Sequence, residues 1–289
     1  MRKGFALLLA LAMLLSLTAC KKKETEHPPV PPTPAETPVE KEEVPAAPAL
    51  KNAEAVTVPA QVEEGRIPEG AYTLPEELTS MQWWLENGAV GLLAQQEDVR
   101  FYGVEGKESN PALLCWGDAQ AEFDWWYSTP HAIEPELWVY DIDEDGKTEV
   151  VANCYAASGT GVSLEYLYVL EKNADGTLTS YHLPWDELSE QVNAQLQTLS
   201  MNGSTYAVLG RELLDISADV SEFNAEALEL FMGAVARYRR TEQGLECAFG
   251  VVAEGEGIAR LSTYVGVVEG TLQYKDGVFT LDNLHLRSY

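Results

Sequence analysis

The sequence predicts an α+β domain built mainly on antiparallel β-sheet, in a meander of hairpins open to a blade-like arrangement, with two or three helices packed against it. Three observations predict this. Short runs rich in β-branched and aromatic residues recur from residue 99 to residue 289, separated by Gly, Asn, Asp and Pro. The turns Asn173-Ala174-Asp175-Gly176 and Lys275-Asp276-Gly277 join neighbouring runs closely, which makes the strands antiparallel. A few stretches instead keep apolar residues at three- and four-residue steps, the period of a helix.

Residues 1–20, MRKGFALLLALAMLLSLTAC, open with Arg2 and Lys3, turn apolar over residues 5–15, and end on Leu17-Thr18-Ala19-Cys20. A basic start, a short apolar run and small residues at a cleavage point form a secretory signal, too short for a stable span. The ending resembles the lipobox of bacterial lipoproteins. That resemblance implies cleavage before Cys20, a diacylglyceryl group on its sulfur, and attachment to the extracellular face of the cell membrane.

Residues 21–65 contain Lys21, Lys22 and Lys23 and then nine of the fifteen prolines, with no aromatic residue and no usable apolar period. Such a segment buries too little surface to offset its ordering entropy and is expected to be a disordered linker. As a coil it spans roughly 40 Å, and as extended polyproline up to about 140 Å. The lysines beside the lipid would add about 1 kcal/mol each of attraction to anionic headgroups.

Residues 66–289 are expected to form the globular part. They carry 12 Lys and Arg against 37 Asp and Glu, so most of the net charge of −27 lies here. A surface this acidic repels phosphate backbones, which excludes nucleic acid as a partner. Cys115, Cys154 and Cys247 are odd in number, irregularly spaced and set in apolar runs (LLCW, VANCY, LECAF), the context of buried thiols rather than of a disulfide framework.

Within this part, residues 74–93 read as helical, with Leu78, Met81, Trp84 and Leu85 on one face. VRFYGV, ALLCWG and EFDWWY then read as extended, followed by strands at 137–140, 149–155, 162–170 and TLTSYHLP. Residues 186–199 read as a helix with Asp186 at its N-cap and Leu188, Val192, Leu196 and Leu199 on one face. A further helix is expected at 225–235, and strands return to the end of the chain.

The stretch DIDEDGKTE concentrates acid. With Asp141 as position 1, oxygens fall on Asp141, Asp143 and Asp145, Gly146 occupies position 6, the Lys147 carbonyl position 7 and Glu149 position 9. Alternate residues of a tight loop point inward, and glycine permits the sharp turn, so these oxygens can surround one Ca²⁺ at about 2.3–2.6 Å. An oxygen-only donor set argues against zinc. An EF-hand would need an acid at position 12 and flanking helices; Ala152 stands there, between strand-like flanks.

The pattern resembles the DxDxDGxx[DE] calcium loop of FG-GAP and VCBS-type repeats, which connects two antiparallel strands of a propeller-like blade. It occurs once, so a full propeller is not expected. The longer stretch FDWWYSTPHAIEPELWVYDIDEDGKTEVV, followed by SGTGVSLEYLYVLE, resembles poorly characterised extracellular lipoproteins of Gram-positive bacteria. What it implies is a tethered plan and a β domain stabilised by calcium.

HExxH, GxSxG and P-loop motifs do not occur, and GEGIAR at Gly255 lacks the third glycine of a dinucleotide fingerprint. His131 stands beside an aromatic cluster without a nucleophile to activate. Six of the seven tryptophans lie between Trp83 and Trp138. Trp83 and Trp84, like Trp125 and Trp126, are chain neighbours that must point different ways, so one of each pair can face a ligand. The expected function is a lipid-anchored extracellular binding or structural module with a structural Ca²⁺, its partner a cell-envelope glycan or protein. The alternative is a carbohydrate-active enzyme or glycan-binding protein that uses the Trp-rich surface with paired acids.

Overall fold

The computed structural model describes residues 51–68, 72–80, 89–105, 111–128, 133–224, 227–242, 244–255 and 261–289. Strands β1 (Val56–Pro59) and β2 (Gln61–Glu64) come first. A four-stranded meander follows: β3 (Val90–Gln96), β4 (Val99–Val104), β5 (Ala112–Trp116) and β6 (Ala119–Phe123). Next are β7 (Glu136–Tyr140), β8 (Glu149–Gly159), β9 (Val162–Lys172), β10 (Leu178–His182) and the helix α1 (Trp185–Asn193). A small sheet of β11 (Leu196–Met201), β12 (Ser204–Leu209) and β13 (Glu212–Asp215) leads to β14 (Glu229–Thr241), β15 (Gly244–Gly255), β16 (Leu261–Lys275) and β17 (Val278–Arg287).

Strands β8, β9 and β10 have apolar residues at consecutive positions because both their faces are buried. Val151, Leu167 and Val169 enter one core, while Val150, Ala152, Cys154, Tyr168, Leu170 and Leu178 enter another. The second core is shared with the meander through Phe101, Leu114 and Phe123. The meander's other face, with Leu92, Tyr102 and Leu113, is covered by Tyr72 and Leu74. The buried Thr79 fixes that cover by accepting the Leu92 N–H on its hydroxyl (2.9 Å).

On the first core the strands run β1-β17-β16-β15-β14-β9-β10-β2, with β8 also on β9 and β7 on β8. The two ends of that order are one extended segment, interrupted only by Ala60, whose N–H donates to the Gly277 carbonyl at 2.8 Å. Its first half pairs with β17 (Val56 opposite Leu281) and its second with β10 (Glu64 opposite Thr179). The sheet therefore closes nearly into a barrel, which leaves little free edge for another chain to pair with. Val58, Phe249, Phe279 and Leu281 fill the interior, joined by Leu188 and Val192 one turn apart on α1.

The expected α+β class is corrected by this architecture: the described residues are mostly strand and hold a single helix, so the protein is essentially all-β. The helix expected at 186–199 ends at Asn193, and its apolar series continues because Leu196, on β11, faces the same core. Asp186 lies in the first turn of α1, not at its N-cap. Within 225–235, residues 225 and 226 lie outside the described residues, and from Glu229 the chain is strand β14. A register shift between Met232 and Ala236 changes which side of β14 faces inward, so Leu228, Met232, Val235 and Ala236 are all buried at steps that imitate a helix.

Of the helix expected at 74–93, residues 81–88 lie outside the described residues; the rest is irregular from 74 to 80 and strand from Val90. A register shift between Leu92 and Ala94 again buries consecutive residues, Leu92 on one face and Leu93 on the other. The extended run expected through EFDWWY stops at Phe123.

The folded part also begins earlier than residue 66. Val56 and Val58 alternate with exposed neighbours and enter the barrel core, so the segment read as the end of a linker is a stave of the sheet. Gln195 clasps Glu54, two residues ahead of β1, accepting the Glu54 N–H on Oε1 (2.8 Å) and donating from Nε2 to the Glu54 carbonyl (3.0 Å). Gly210, at φ +61°, leaves no room for a side chain there: a Cβ would sit 2.2 Å from the Ala53 nitrogen.

Candidate metal centre and aromatic surface

Strands β7 and β8 are a hairpin with Tyr140 opposite Glu149, and the acidic residues form its tip. The tip is organised by its own carboxylates. Asp141 accepts the Asp145 N–H on Oδ1 (3.0 Å) and the Gly146 N–H on Oδ2 (2.9 Å), and Asp143 Oδ1 also accepts the Asp145 N–H (3.1 Å). Two residues turn through the left-handed region, Gly146 at φ +89° and Glu144 at φ +59°. Glycine enters that region freely, whereas glutamate does so at a cost.

Carboxylate oxygens of Asp141, Asp143 and Glu149 lie within 4.8 Å of one another. Two oxygens on opposite sides of one calcium ion, each at about 2.4 Å, are that far apart. Glu149 is the deepest, 5 % exposed, with Oε2 accepting the Ile142 N–H at 3.0 Å. Burial above all, and then the neighbouring charges of Asp143, Asp145 and Asp141, push its carboxyl up to about 7. A buried acid beside three others is a poor place for a fourth negative charge and a good one for a hard cation.

Of the expected side-chain ligands, Asp141, Asp143 and Glu149 stand together, whereas Asp145 does not join them. Asp145 turns to its neighbour instead, accepting the Lys147 N–H on Oδ1 (2.7 Å) and the Lys147 ammonium on Oδ2 (2.5 Å). That contact holds the Asp145 carboxyl below the usual range. One contact at the tip escapes sequence reasoning: the Arg240 guanidinium lies 4.1 Å from the centre of the Tyr140 ring, anchoring the end of β7 to β14. Nothing in either local sequence signals that pair, which is made only by the fold.

The tryptophan neighbours divide. Trp125 is 4 % exposed, stacks flat on Tyr168 (4.3 Å between centres, 5° between planes) and donates Nε1–H to Ser180 Oγ at 3.0 Å. Trp126 is 69 % exposed, with one face toward Tyr166 at 6.5 Å. Trp83, Trp84, His131 and Cys20 lie outside the described residues. Cys115, Cys154 and Cys247 are buried free thiols, and no described helix is long and apolar enough to cross a membrane.

Comparisons with protein-family models, curated proteins and solved structures find no match for this chain.

Proposed function

We propose that the protein is a lipid-anchored extracellular binding or structural module whose β7–β8 tip is held by a structural Ca²⁺. The observation that carries the calcium reading is the convergence of Asp141, Asp143 and the buried Glu149 on one small volume. Each bonded carboxylate oxygen has a second lone pair, so the backbone N–H groups that shape the loop leave acceptors for an ion. The Asp145 ammonium contact would exchange for the metal or leave Asp145 outside its sphere. Anchoring through Cys20, with residues between it and β1 as the tether, rests on the order of charge, apolar run and Leu17-Thr18-Ala19-Cys20. The calcium loop resembles that of FG-GAP and VCBS-type repeats, set here on a hairpin of a near-barrel sheet.

Thermal melts of the detergent-solubilised full chain, with calcium and with chelator, test the metal. At a tenfold excess over Kd a single site adds about 1.4 kcal/mol, a rise of several degrees in Tm. Asp143→Ala should remove most of that rise; an equal rise in the variant sinks the reading. For the anchor, Cys20→Ser should release the protein from the membrane fraction.

A second reading, glycan binding, is favoured by one observation, the open face of Trp126 backed by Tyr166. A glycan array on which wild type binds and Trp126→Ala does not would support it.

A further inference from the structure

Strand β9 gives one edge to β8 but divides the other. Ser163 and Leu164 pair in parallel with Val235 and Ala236 of β14, while Tyr168 and the residues after it pair antiparallel with β10. Between those ladders β14 leaves β9, and residues 165–167 meet no described strand on that edge. Glu165 bridges the gap with its side chain: Oε2 accepts the Tyr238 N–H (2.9 Å) and the Asn153 amide Nδ2 (3.1 Å).

A cleft of about 680 Å³ opens at this parting, lined among others by Glu136, Glu165, Arg237, Arg239, Glu269 and Arg287. Small-molecule sites run roughly 300–1,000 Å³. The charge here is unlike that of the chain as a whole: with 46 acids against 19 bases overall, three of the nine arginines line this one cleft. Two of them are committed, Arg239 to Glu246 at 2.6 Å and Arg287 to Glu269. Arg237 is exposed and makes no ion pair with a described residue.

On the other side the open groups are acceptors. Glu136 makes no ion pair with a described residue, and Glu165 keeps Oε1 free of hydrogen bonds to them. Behind Glu165 stands Asn153, opposite Glu136 across the β7–β8 ladder and 7 % exposed. A carboxylate only accepts, so the amide must present Nδ2 to Glu165, and its Oδ1 is then buried without a donor.

We infer that this cleft binds a small zwitterion, an amino acid or short peptide, with its carboxylate on Arg237 and its ammonium toward Glu136 and Glu165. An ammonium only donates, and the Glu136 carboxylate and Glu165 Oε1 are acceptors on that side of the cleft. A guanidinium takes a carboxylate with two parallel bonds. Four glutamates in the lining oppose a polyphosphate, three arginines oppose a bare cation, and the one tyrosine in the lining, Tyr238, is buried and offers no face to a sugar. The inference is independent of calcium and of the anchor.

Calorimetric titration of the detergent-solubilised full chain tests it, using the free amino acids, di- and tripeptides, and their N-acetylated and C-amidated forms. At least one zwitterion should bind, and size separates a free amino acid from a peptide. Acetylation or amidation should each weaken binding by about ten- to a hundredfold, the effect of losing a charge-assisted contact. Arg237→Ala should reproduce the loss caused by amidation and cost the amidated ligand nothing further. Glu165→Gln keeps an acceptor for Tyr238, and the exposed Glu136→Gln gives a second variant at the ammonium end; either should reproduce the loss caused by acetylation. Absence of binding by every zwitterion at millimolar concentration, or equal affinity for capped and uncapped forms, overturns the inference, as does an Arg237→Ala protein that binds like wild type.

Discussion

The two ends of the β7–β8 hairpin solve opposite electrostatic problems. At the tip, Glu149 faces Asp141 and Asp143 in a group of one sign, so the group needs something from outside to settle it. At the open end, Glu136 faces a cleft where guanidinium and carboxylate groups stand together. Between them Val150 and Val151 are fully buried, one toward the meander and one toward the barrel. A strand pair can therefore be rigid in its middle and conditional at its ends, with the conditions differing.

The largest expected effect comes from breaking the shared middle. Val151→Asp puts an unpaired charge into the barrel core and should cost about 4 kcal/mol or more, enough to lose the folded state in denaturant or heat. Calcium should not rescue it; a rescue would mean that the tip, rather than the core, holds the hairpin. Next in size is Glu149→Gln, which removes the buried charge but keeps an acceptor for Ile142. In chelator above pH 7 it should stabilise by about 1–3 kcal/mol, and it should abolish most of the calcium-dependent rise in Tm.

Glu149 has a folded value of about 7 against an ordinary 4.5. Its proton is held more tightly in the folded protein, so in chelator the stability it confers is complete below about 4.5 and is lost as pH rises to about 7. Calcium bound at the proposed site would take the place of that proton, so the calcium-dependent rise in Tm should be largest above pH 7 and shrink as pH falls through it. Melts across this range with and without calcium measure the difference; a constant difference would take Glu149 out of the site. The smallest effect belongs to the open end, where Arg237→Ala without ligand should change stability by less than about 0.5 kcal/mol and leave the calcium response unaltered.

The contrast also explains what could be read from the chain. The tip was legible because its acids and Gly146 are contiguous, and a loop's geometry depends on its own few residues. Even so, the turn of Asp145 to Lys147 escapes a spacing rule, since either orientation suits the same sequence. The cleft is assembled from strands far apart in the chain, and each contribution reads locally as an ordinary solvated strand face. Most strands were visible from composition, β4 to the residue. The helix misread at 225–235 has a local cause: a register shift in β14 breaks the two-residue alternation and leaves three- and four-residue steps in its place. The early start of the fold was hidden by Pro59, which ends β1 without disturbing it, since the next N–H in the ladder belongs to Ala60.

That first stave has a mechanical consequence. Any tension applied through the chain ahead of residue 51 arrives first at Glu54, in the grip of Gln195, and then at the stave that pairs with both β17 and β10. To peel it away is to uncoil the whole body, so resistance to pulling and closure of the sheet reside in the same few residues.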